Sequence, residues 1–423
     1  MGKKTGKKAG KGSKKNRKNQ FAFKKLLEKF KSLNKKTKIT ILCVICGIIL
    51  IAATCTGVHI IKKRRADRTV SIAFYGLSEE MCTMLKEIIP QEEKIILDFD
   101  IIPEGDFDTV FAKKKYDMLF TWRGEITDSL SASAEEIPSR ILESIPRSLR
   151  NKKCVPIILD CCEFDYSTAV MKKLKNGIPQ SYDSFQGFLQ QAKGVVFSPV
   201  YCNGGEDRIL IDLIGALVMA QGGLSAYNRL IEGLRKTESV DSMLDVKLDG
   251  KALTLRALLD MIKAWPEEGL TNKAWYNGRG NDLVYFADSK QLGCFFTTLS
   301  EHRKIPYNVI KNYESDRIPT NQQAGNYGLI APAVSCMLLT DNSNARRYIT
   351  NFFTEEVQGR LSDKTCLGPV HYQAPAYDRQ ADDVRFWAAS CAGGAVPDLY
   401  LAVYQRKPEE LKKICGEIRD YVR

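Results

Sequence analysis

The chain has 423 residues, enough for two ordinary domains and a tail. Its formal net charge is +13, but residues 1–65 carry 20 Lys and Arg against one acid, Glu28, whereas residues 66–423 carry 43 bases and 49 acids. Because the positive excess lies in the first 65 residues, the overall basicity does not indicate nucleic-acid binding by the main domain. We expect no nucleic-acid partner.

The basic tail, residues 1–38, has two parts. Residues 1–20 are of low complexity and cannot bury a core. Residues 21–33 place apolar side chains on one helical face with lysines opposite: Phe23, Leu26, Leu27, Phe30 and Leu33. This pattern is typical of a helix lying on anionic lipid. The alternative, a solvated tail that only directs topology, remains open.

Residues 39–61 contain no Asp, Glu, Lys or Arg. As a helix they span about 34 Å, enough for a hydrocarbon core of about 30 Å. The bases before the segment far outnumber the four in the cluster Lys62, Lys63, Arg64 and Arg65. The sequence therefore predicts one transmembrane helix in the cell (inner) membrane, with a cytoplasmic N-terminus and a periplasmic or extracellular main domain, residues 66–423.

Two other readings of the apolar segment concern processing. A cleaved signal peptide fits less well, because the charged region is long and the apolar core is extended. The run Ala52-Ala53-Thr54-Cys55 loosely resembles a lipoprotein site but lacks the usual branched residue three places before the cysteine. Lipidation of Cys55 remains open.

The main domain alternates strand and helix patterns. Predicted strands cover residues 69–75, 94–102, 116–121 and 155–160, and shorter ones 195–197, 283–286, 294–297, 307–310 and 326–331. Predicted helices cover residues 79–89, 182–193, 209–221, 226–236, 253–264, 345–354 and 409–422. The early alternation predicts an α/β domain with a parallel sheet.

The cysteines and histidines indicate whether a metal site is to be expected. Ten of the 13 cysteines follow the apolar segment, but their scatter does not define disulfide pairs. The folded part has no Cys-x-x-Cys, and the chain has three histidines, His59, His302 and His371. We therefore expect no metal site and no cofactor.

Several separated motifs resemble one family. A helix leads to Gly177-Ile178-Pro179 and then to Tyr182-Asp183; another ends in Gly222-Gly223. Further segments follow in the family's order: residues 286–294 (with Ser289 for a usual Gly), 325–332, 344–358 and 368–369. Together they resemble the extracellular solute-binding proteins of ABC importers, in the maltose-binding-like branch.

This resemblance implies the α/β, two-lobe periplasmic-binding-protein-like fold of type II. Lobe 1 is expected to hold about residues 68–156 and 313–364, and lobe 2 about 165–306 and 368–423. The chain would cross between lobes near residues 156–165, 307–313 and 364–368. The implied partners are a small-molecule solute, with a sugar favoured, and an ABC permease in the membrane.

Ligand residues in such folds follow the carboxyl ends of strands or lie in the cleft loops. Sugars present flat C–H faces to aromatic rings and hydroxyls to carboxylates or arginine. The predicted ligand-binding residues are Tyr75, Trp122, Arg123, Asp160, Asp165, Tyr166, Tyr201, Trp275 and Trp387.

Three functions are compatible with these features to different degrees. The first is a membrane-anchored receptor that captures a carbohydrate or similar polar solute for an importer. The second is a ligand-sensing or scaffold subunit with the same fold and no transport role. The third, an enzyme using Glu163 and Asp165 for acid–base chemistry on a glycoside, is disfavoured, because no other catalytic motif is present.

Overall fold

The computed structural model describes residues 68–89 and 95–423, and seven isolated positions between 34 and 47. The chain divides into two units, Met1–Arg68 and Thr69–Arg423. The predicted lipid-binding face at residues 21–33, Cys55 and most of the predicted membrane helix lie outside the described residues. The second unit has an extensive buried core of its own, and the following description concerns that unit.

Twelve strands are described in this unit. They are β1 (Thr69–Tyr75), β2 (Ile96–Ile102), β3 (Met118–Trp122), β4 (Val155–Leu159), β5 (Cys162–Ser167), β6 (Ser198–Tyr201), β7 (Leu292–Thr298), β8 (Tyr313–Arg317), β9 (Leu329–Ile330), β10 (Ala333–Leu338), β11 (Gly368–Pro369) and β12 (Ala395–Val396).

The α-helices of the described residues follow in chain order. They are α1 (Glu79–Glu87), α2 (Phe107–Phe111), α3 (Glu125–Leu130), α4 (Ser139–Glu143), α5 (Thr168–Leu174), α6 (Tyr182–Ala192), α7 (Asp207–Leu234), α8 (Leu255–Ala264), α9 (Gly280–Asp288), α10 (Leu299–His302), α11 (Tyr307–Ile310), α12 (Ser343–Asn351), α13 (Glu355–Thr365), α14 (Arg379–Ser390), α15 (Leu399–Val403) and α16 (Pro408–Val422). Short 3₁₀ turns cover Arg147–Leu149, Val240–Met243, Trp275–Asn277 and Ala324–Asn326.

The larger sheet has six strands in the order β11-β4-β10-β3-β1-β2. β1 pairs in parallel with β2 and β3, whereas β10 is antiparallel to both β3 and β4. The four strands β1–β4 therefore run in one direction, as predicted, but β10 lies between β3 and β4, so parallel pairing is confined to β1, β2 and β3. β10 enters the sheet from a distant part of the chain, so its direction was not visible in the local alternation.

The smaller sheet has four strands in the order β6-β7-β5-β8. β5 is antiparallel to β7 and β8, and β6 is parallel to β7. The chain passes from the larger to the smaller sheet at Asp160 and Cys161, between β4 and β5, inside the predicted first crossing. A separate two-stranded pair joins β12 to β9.

Two other predicted crossings do not match the strand pairing. β8 belongs to the smaller sheet, so the boundary at residue 313 falls too early, and the chain reaches the larger sheet only at β10. β11 pairs with β4, and α14 packs on β11, so residues 368–390 stay beside the larger sheet. Strand partners that are distant in sequence decide these boundaries.

Helix α7 is the one described helix long and apolar enough to cross a membrane, and 78 % of its apolar stretch is buried inside the protein. It is therefore a core helix here. The sequence predicted two helices with a break at Gly222-Gly223. Gly223 has φ 70°, and an added Cβ would lie 2.4 Å from Asn326 Nδ2. Glycine at this position allows both the kink and the close approach.

Two predicted strands are helical in the structure. Residues 283–286 lie in α9 and residues 307–310 form α11. A short apolar run has no decisive periodicity, and its neighbours in space select the conformation. The strand predicted at residues 195–197 begins instead at Ser198.

Candidate functional site

The carboxyl ends of β1, β2 and β3 meet at one edge of the larger sheet because these strands are parallel. Residues 395–405, which we call the C-terminal segment, lie against this edge. The Tyr75 hydroxyl donates to the carbonyl oxygen of Gln405 at 2.8 Å and accepts from the N–H of Gly105 at 3.1 Å. The Tyr400 hydroxyl donates to Glu104 Oε2 at 2.9 Å. Two tyrosines thus connect this sheet edge to the C-terminal segment.

A charged group, which we call the Arg208 cluster, lies beside this edge and comprises Arg208, Asp212, Asp398, Tyr400 and Trp122. Arg208 Nη2 is 3.0 Å from Asp398 Oδ2, and Arg208 Nε is 3.8 Å from Asp212 Oδ2. The guanidinium carbon lies 5.1 Å from the Tyr400 ring centroid and 6.0 Å from that of Trp122. The cluster therefore combines aromatic faces with a cation and two carboxylates.

Backbone hydrogen bonds position the acids of the cluster. Asp398 caps α15 by accepting from the N–H of Leu401 at 2.7 Å, and Asp212 accepts from the N–H of Tyr400 at 3.1 Å. Both carboxylate side chains are fully buried, whereas 40 % of the Arg208 side chain is exposed. Burial and the neighbouring Asp398 raise the pKa of Asp212 well above its ordinary value. Arg208 is the part of this ion group that a solute can reach.

Asp160 lies at the first passage between the sheets and is held by Ser300. Its carboxylate accepts from the Ser300 hydroxyl at 2.6 Å, from the Ser300 N–H at 3.0 Å and from the Cys161 N–H at 2.8 Å. Burial raises the pKa of Asp160, although these donors and Arg208 oppose the shift. Asp160 therefore fixes the passage between β4 and β5.

The loop after β3 is attached to the C-terminal segment. Arg123 Nη1 donates to the carbonyl oxygen of Ala395 at 2.9 Å. The Gln405 side chain donates to the carbonyl oxygen of Trp122 at 2.8 Å and accepts from the N–H of Ile126 at 3.1 Å. Gly124 lies so close that an added Cβ would be 2.2 Å from the carbonyl oxygen of Leu401. One guanidinium nitrogen of Arg123 is therefore engaged by backbone, and its role as a ligand residue stays a prediction.

Three predicted ligand residues lie in the core instead of a cleft. Tyr166, Tyr201 and Trp275 are each no more than 2 % exposed. Tyr166 packs against Phe188, and Tyr201 against Phe286. Aromatic residues beside strands fill the space between sheet and helices, and their burial corrects the prediction for all three. Tyr75 is also fully buried, with both hydrogen-bond partners supplied by the protein.

A cavity of about 860 Å³ lies between α11, β8 and α14. Trp387 is the predicted residue that lines it, together with cationic side chains such as Arg317 and Arg379. His302 and Ser315 also line this cavity and contact the buried Asp165. The nine predicted residues therefore divide between the sheet edge, the passage, the core and this cavity.

Sequence reasoning missed Glu104, Arg208, Asp398, Tyr400 and His302. Asp398 precedes an apolar run and is a recognisable helix N-cap, which predicts the start of α15 but not its location. Arg208 and Asp212 are spaced i, i+4 in the first turns of α7, which predicts an ion pair. Their approach to Trp122 depends on long-range packing and has no local signal.

The two sheets and the passages between them have the type II fold that is also found in solved solute receptors of ABC importers. The predicted fold class is confirmed, while the membrane helix before it lies largely outside the described residues. Several solved structures with this fold are sugar-binding solute receptors.

Three solved structures illustrate the similarity. The bacterial solute receptor AcbH, whose description gives an exclusive preference for β-D-galactopyranose, has a TM-score of 0.65 at 11% identity over 83% of this chain and 96% of its own. Apo RafE from Streptococcus pneumoniae has a TM-score of 0.59 at 13% identity, over 84% and 97%. A sugar transporter protein from Bacillus licheniformis, in complex with stachyose, has a TM-score of 0.56 at 13% identity, over 84% and 98%.

The sequence matches no protein-family model and no curated protein. At 11–13% identity the structural likeness is one of fold. The solute and the ligand residues must therefore be argued from this chain's own side chains.

Proposed function

We propose that this chain is a membrane-anchored extracytoplasmic solute-binding protein that captures a carbohydrate or similar polar solute for an ABC importer. The observation that carries the proposal is the Arg208 cluster at the carboxyl ends of the parallel strands. Trp122 offers a partly exposed aromatic face, the buried Tyr400 contributes through its hydrogen bond to Glu104, and Arg208 and Glu104 offer a hydrogen-bond donor and an acceptor. A sugar needs this combination of groups.

The solved structures with this fold support a sugar over other polar solutes. One of them is RafE in complex with raffinose, and it covers 84% of this chain at a TM-score of 0.55. Ligands of two-lobe receptors act by stabilising the closed arrangement, and differential affinity of several kcal/mol makes that state dominant. The Tyr400–Glu104 hydrogen bond is a contact that a solute would replace.

In this proposal each lobe is built around one of the two larger sheets. Lobe 1 contains the six-stranded sheet and lobe 2 the four-stranded sheet, with passages at Asp160-Cys161, between β8 and β10, and near β12. These three passages bring Asp160 and the C-terminal segment beside the Arg208 cluster. The site therefore lies where relative movement of the lobes would change its shape.

Anchoring is proposed from sequence. Residues 39–61 would hold the domain at the outer face of the cell (inner) membrane, beside an ABC permease, with residues 1–38 on anionic lipid in the cytoplasm. A permanent tether raises the effective concentration of receptor near its transporter. The main domain would be periplasmic or extracellular.

A thermal-shift screen of the full chain in detergent against mono- and oligosaccharides, amino acids and polyamines tests the proposal. A ligand at 100 times its Kd stabilises the folded state by about 2.7 kcal/mol. Trp122→Ala should abolish the shift with a sugar, whereas Trp387→Ala, in the separate cavity, should retain it. No shift with any sugar contradicts the proposal, and loss only in Trp387→Ala moves the solute site to the cavity.

A second function, a ligand-sensing or scaffold subunit of a membrane complex, is favoured by the contact between Gly124 and Leu401. The loop after β3 is packed tightly on the C-terminal segment, and the Gln405 side chain adds hydrogen bonds to the same loop. A scaffold subunit would keep this packing whether or not a solute is present. Small-angle scattering separates the two: a receptor becomes more compact when sugar is added, and a scaffold keeps one radius of gyration.

A further inference from the structure

Two carboxylates and a histidine meet on the side of β5 that faces the 860 Å³ cavity. Glu163 and Asp165 are spaced i, i+2 in β5, so they project from the same face of the strand. His302, at the end of α10, places Nδ1 3.0 Å from Asp165 Oδ2 and 3.4 Å from Glu163 Oε1. These three residues form what we call the β5 cluster.

The β5 cluster has fewer hydrogen-bond donors than its four carboxylate oxygen atoms require. His302 Nδ1 faces both oxygens of Asp165 and one of Glu163, yet an imidazole nitrogen carries at most one proton. Gln380 donates to Glu163 Oε1 at 2.9 Å, and Ser315 donates to Asp165 Oδ1. Glu163 Oε2 is buried and has no hydrogen-bond partner among the described residues. An unpartnered buried carboxylate oxygen therefore points to an additional group.

Charge in the β5 cluster is also unbalanced. Glu163 and Asp165 are both 0 % exposed. Of the nearby cations, Arg303 makes two 2.8 Å hydrogen bonds to Asp378, and Arg317, opposite Glu163 on β8, lies over the ring of Tyr327. Two buried carboxylates with one imidazole favour a cation among them, because an uncompensated buried charge is costly.

We propose that Glu163, Asp165 and His302 bind a divalent transition-metal ion of the Zn²⁺ type. The three ligand atoms lie within 4.8 Å of one another. A tetrahedral ion with ligands at about 2.0–2.2 Å separates its ligand atoms by roughly 3.3–3.5 Å, close to the 3.0 and 3.4 Å measured from His302 Nδ1. One imidazole with two carboxylates suits Zn²⁺ better than Ca²⁺ or Mg²⁺, which prefer oxygen ligands alone.

The surroundings complete such a site. His302 and Ser315 line the cavity, which gives an ion and a water ligand a route to the cluster. Gln380 of α14 donates to both Glu163 and Ser315, so it orients a ligand carboxylate from outside the coordination shell. The expectation of no metal site rested on the absence of Cys-x-x-Cys and the few histidines. The proposal departs from that expectation because it depends on a contact between β5 and a histidine that is distant in sequence.

The test is metal uptake by the full chain without an affinity tag, after removal of metal by a chelator. Titration with Co²⁺ should give one bound equivalent, with visible absorption from nitrogen and oxygen ligands. A thiolate charge-transfer band is not expected, which matters because ten cysteines are free in the described domain. Zn²⁺ should raise the melting temperature and displace the bound Co²⁺.

Variants distinguish the cluster from other metal-binding groups. Glu163→Gln and Asp165→Asn should each lower the affinity for Co²⁺ at least tenfold. Glu314→Gln, an exposed acid on the same cavity, and His371→Gln should bind Co²⁺ like the unmodified chain. Circular dichroism establishes that each variant is folded. Absence of uptake, a thiolate band, or unchanged affinity in both cluster variants would overturn the proposal.

The alternative to a bound metal ion is a proton shared by the carboxylates of Glu163 and Asp165. The same variants distinguish the two arrangements. If a proton bridges the two carboxylates, Zn²⁺ leaves the melting temperature unchanged and Glu163→Gln is as stable as the unmodified chain in chelator. If a metal bridges them, Glu163→Gln loses the Zn²⁺-dependent shift. This outcome is independent of sugar binding at the Arg208 cluster.

Discussion

Gly124 and Leu401 are in contact across 277 positions of sequence: a Cβ at Gly124 would lie 2.2 Å from the carbonyl oxygen of Leu401. Gly124 precedes α3, and Leu401 lies in α15 of the C-terminal segment. This contact holds the loop that follows Trp122 against the segment that contains Tyr400. The distance between Trp122 and Tyr400 in the Arg208 cluster therefore depends on the contact between Gly124 and Leu401.

Gly124→Ala should destabilise the domain by about 1–3 kcal/mol, because backbone on both sides prevents the added methyl group from being accommodated. Urea denaturation measures the change. The control is Gly187→Ala in the middle of α6, where nothing lies within 4 Å of the added Cβ. There alanine should stabilise the fold by about 0.5–1 kcal/mol. Equal stability of the two variants would show that the contact is not tight.

Arg208→Gln should lower the free energy of unfolding by about 3 kcal/mol, because Asp212 and Asp398 stay buried without a cation. This is the low end of the range for broken buried pairs, since 40 % of the Arg208 side chain is exposed. Arg256→Gln removes the exposed pair with Asp245 and should have no measurable effect. Similar denaturation curves for both variants would contradict a role for Arg208 in neutralising the buried acids.

Asp212→Asn should reduce the pH dependence of stability. Because the pKa of Asp212 is raised in the folded state, the folded chain binds more protons than the unfolded chain. Its contribution is therefore fully present below the unfolded pKa of about 3.9 and is lost as pH rises through the folded pKa. Relative to the unmodified chain, Asp212→Asn should gain stability as pH increases from about 4 to 7.

The midpoint of urea denaturation, measured at a series of pH values, gives the pH dependence of stability. It is compared for the unmodified chain, for Asp212→Asn and for the control Asp288→Asn, which changes an exposed acid. Asp160 and Glu163 also have raised pKa values, so a slope should remain in the variant. Parallel curves for Asp212→Asn and the unmodified chain would show that Asp212 does not contribute to the slope.

Deletion of residues 1–61 should release the protein from membranes. We expect the full chain to stay in the membrane fraction after alkaline carbonate extraction, because about 23 apolar residues are long enough to span the bilayer. Deletion of residues 1–33 alone serves as the control and should leave the protein membrane-bound. Extraction of the full chain by carbonate would contradict a spanning helix.

Much of the secondary structure was predictable because its signals are local. The strand predicted at residues 69–75 is β1, and the helix predicted at residues 409–422 is α16 to within one residue. Regular periodicity and caps define such elements. The strand predicted at residues 307–310 was wrong, because four residues are too few to show whether the apolar period is that of a strand or of a helix.

The candidate site was less predictable. Trp122 was found because it directly follows the strand predicted at residues 116–121; it is the last residue of β3 and lies in the Arg208 cluster. Tyr201 and Trp275 satisfied the same residue-type argument and proved to be core. An aromatic side chain suits a sugar site and a hydrophobic core equally well, so sequence could not separate the two roles.

By itself the sequence determined the segregation of charge, the apolar segment at residues 39–61, the main strands and helices, and the resemblance to solute receptors. These properties depend on composition and on neighbours within a few turns of chain. Only the tertiary structure decided which acids acquire partners. It placed Asp165 against His302, 137 positions away, and Tyr400 against Glu104, 296 positions away. Such contacts arise from the pairing of distant strands and the packing of helices on them, which no local pattern encodes.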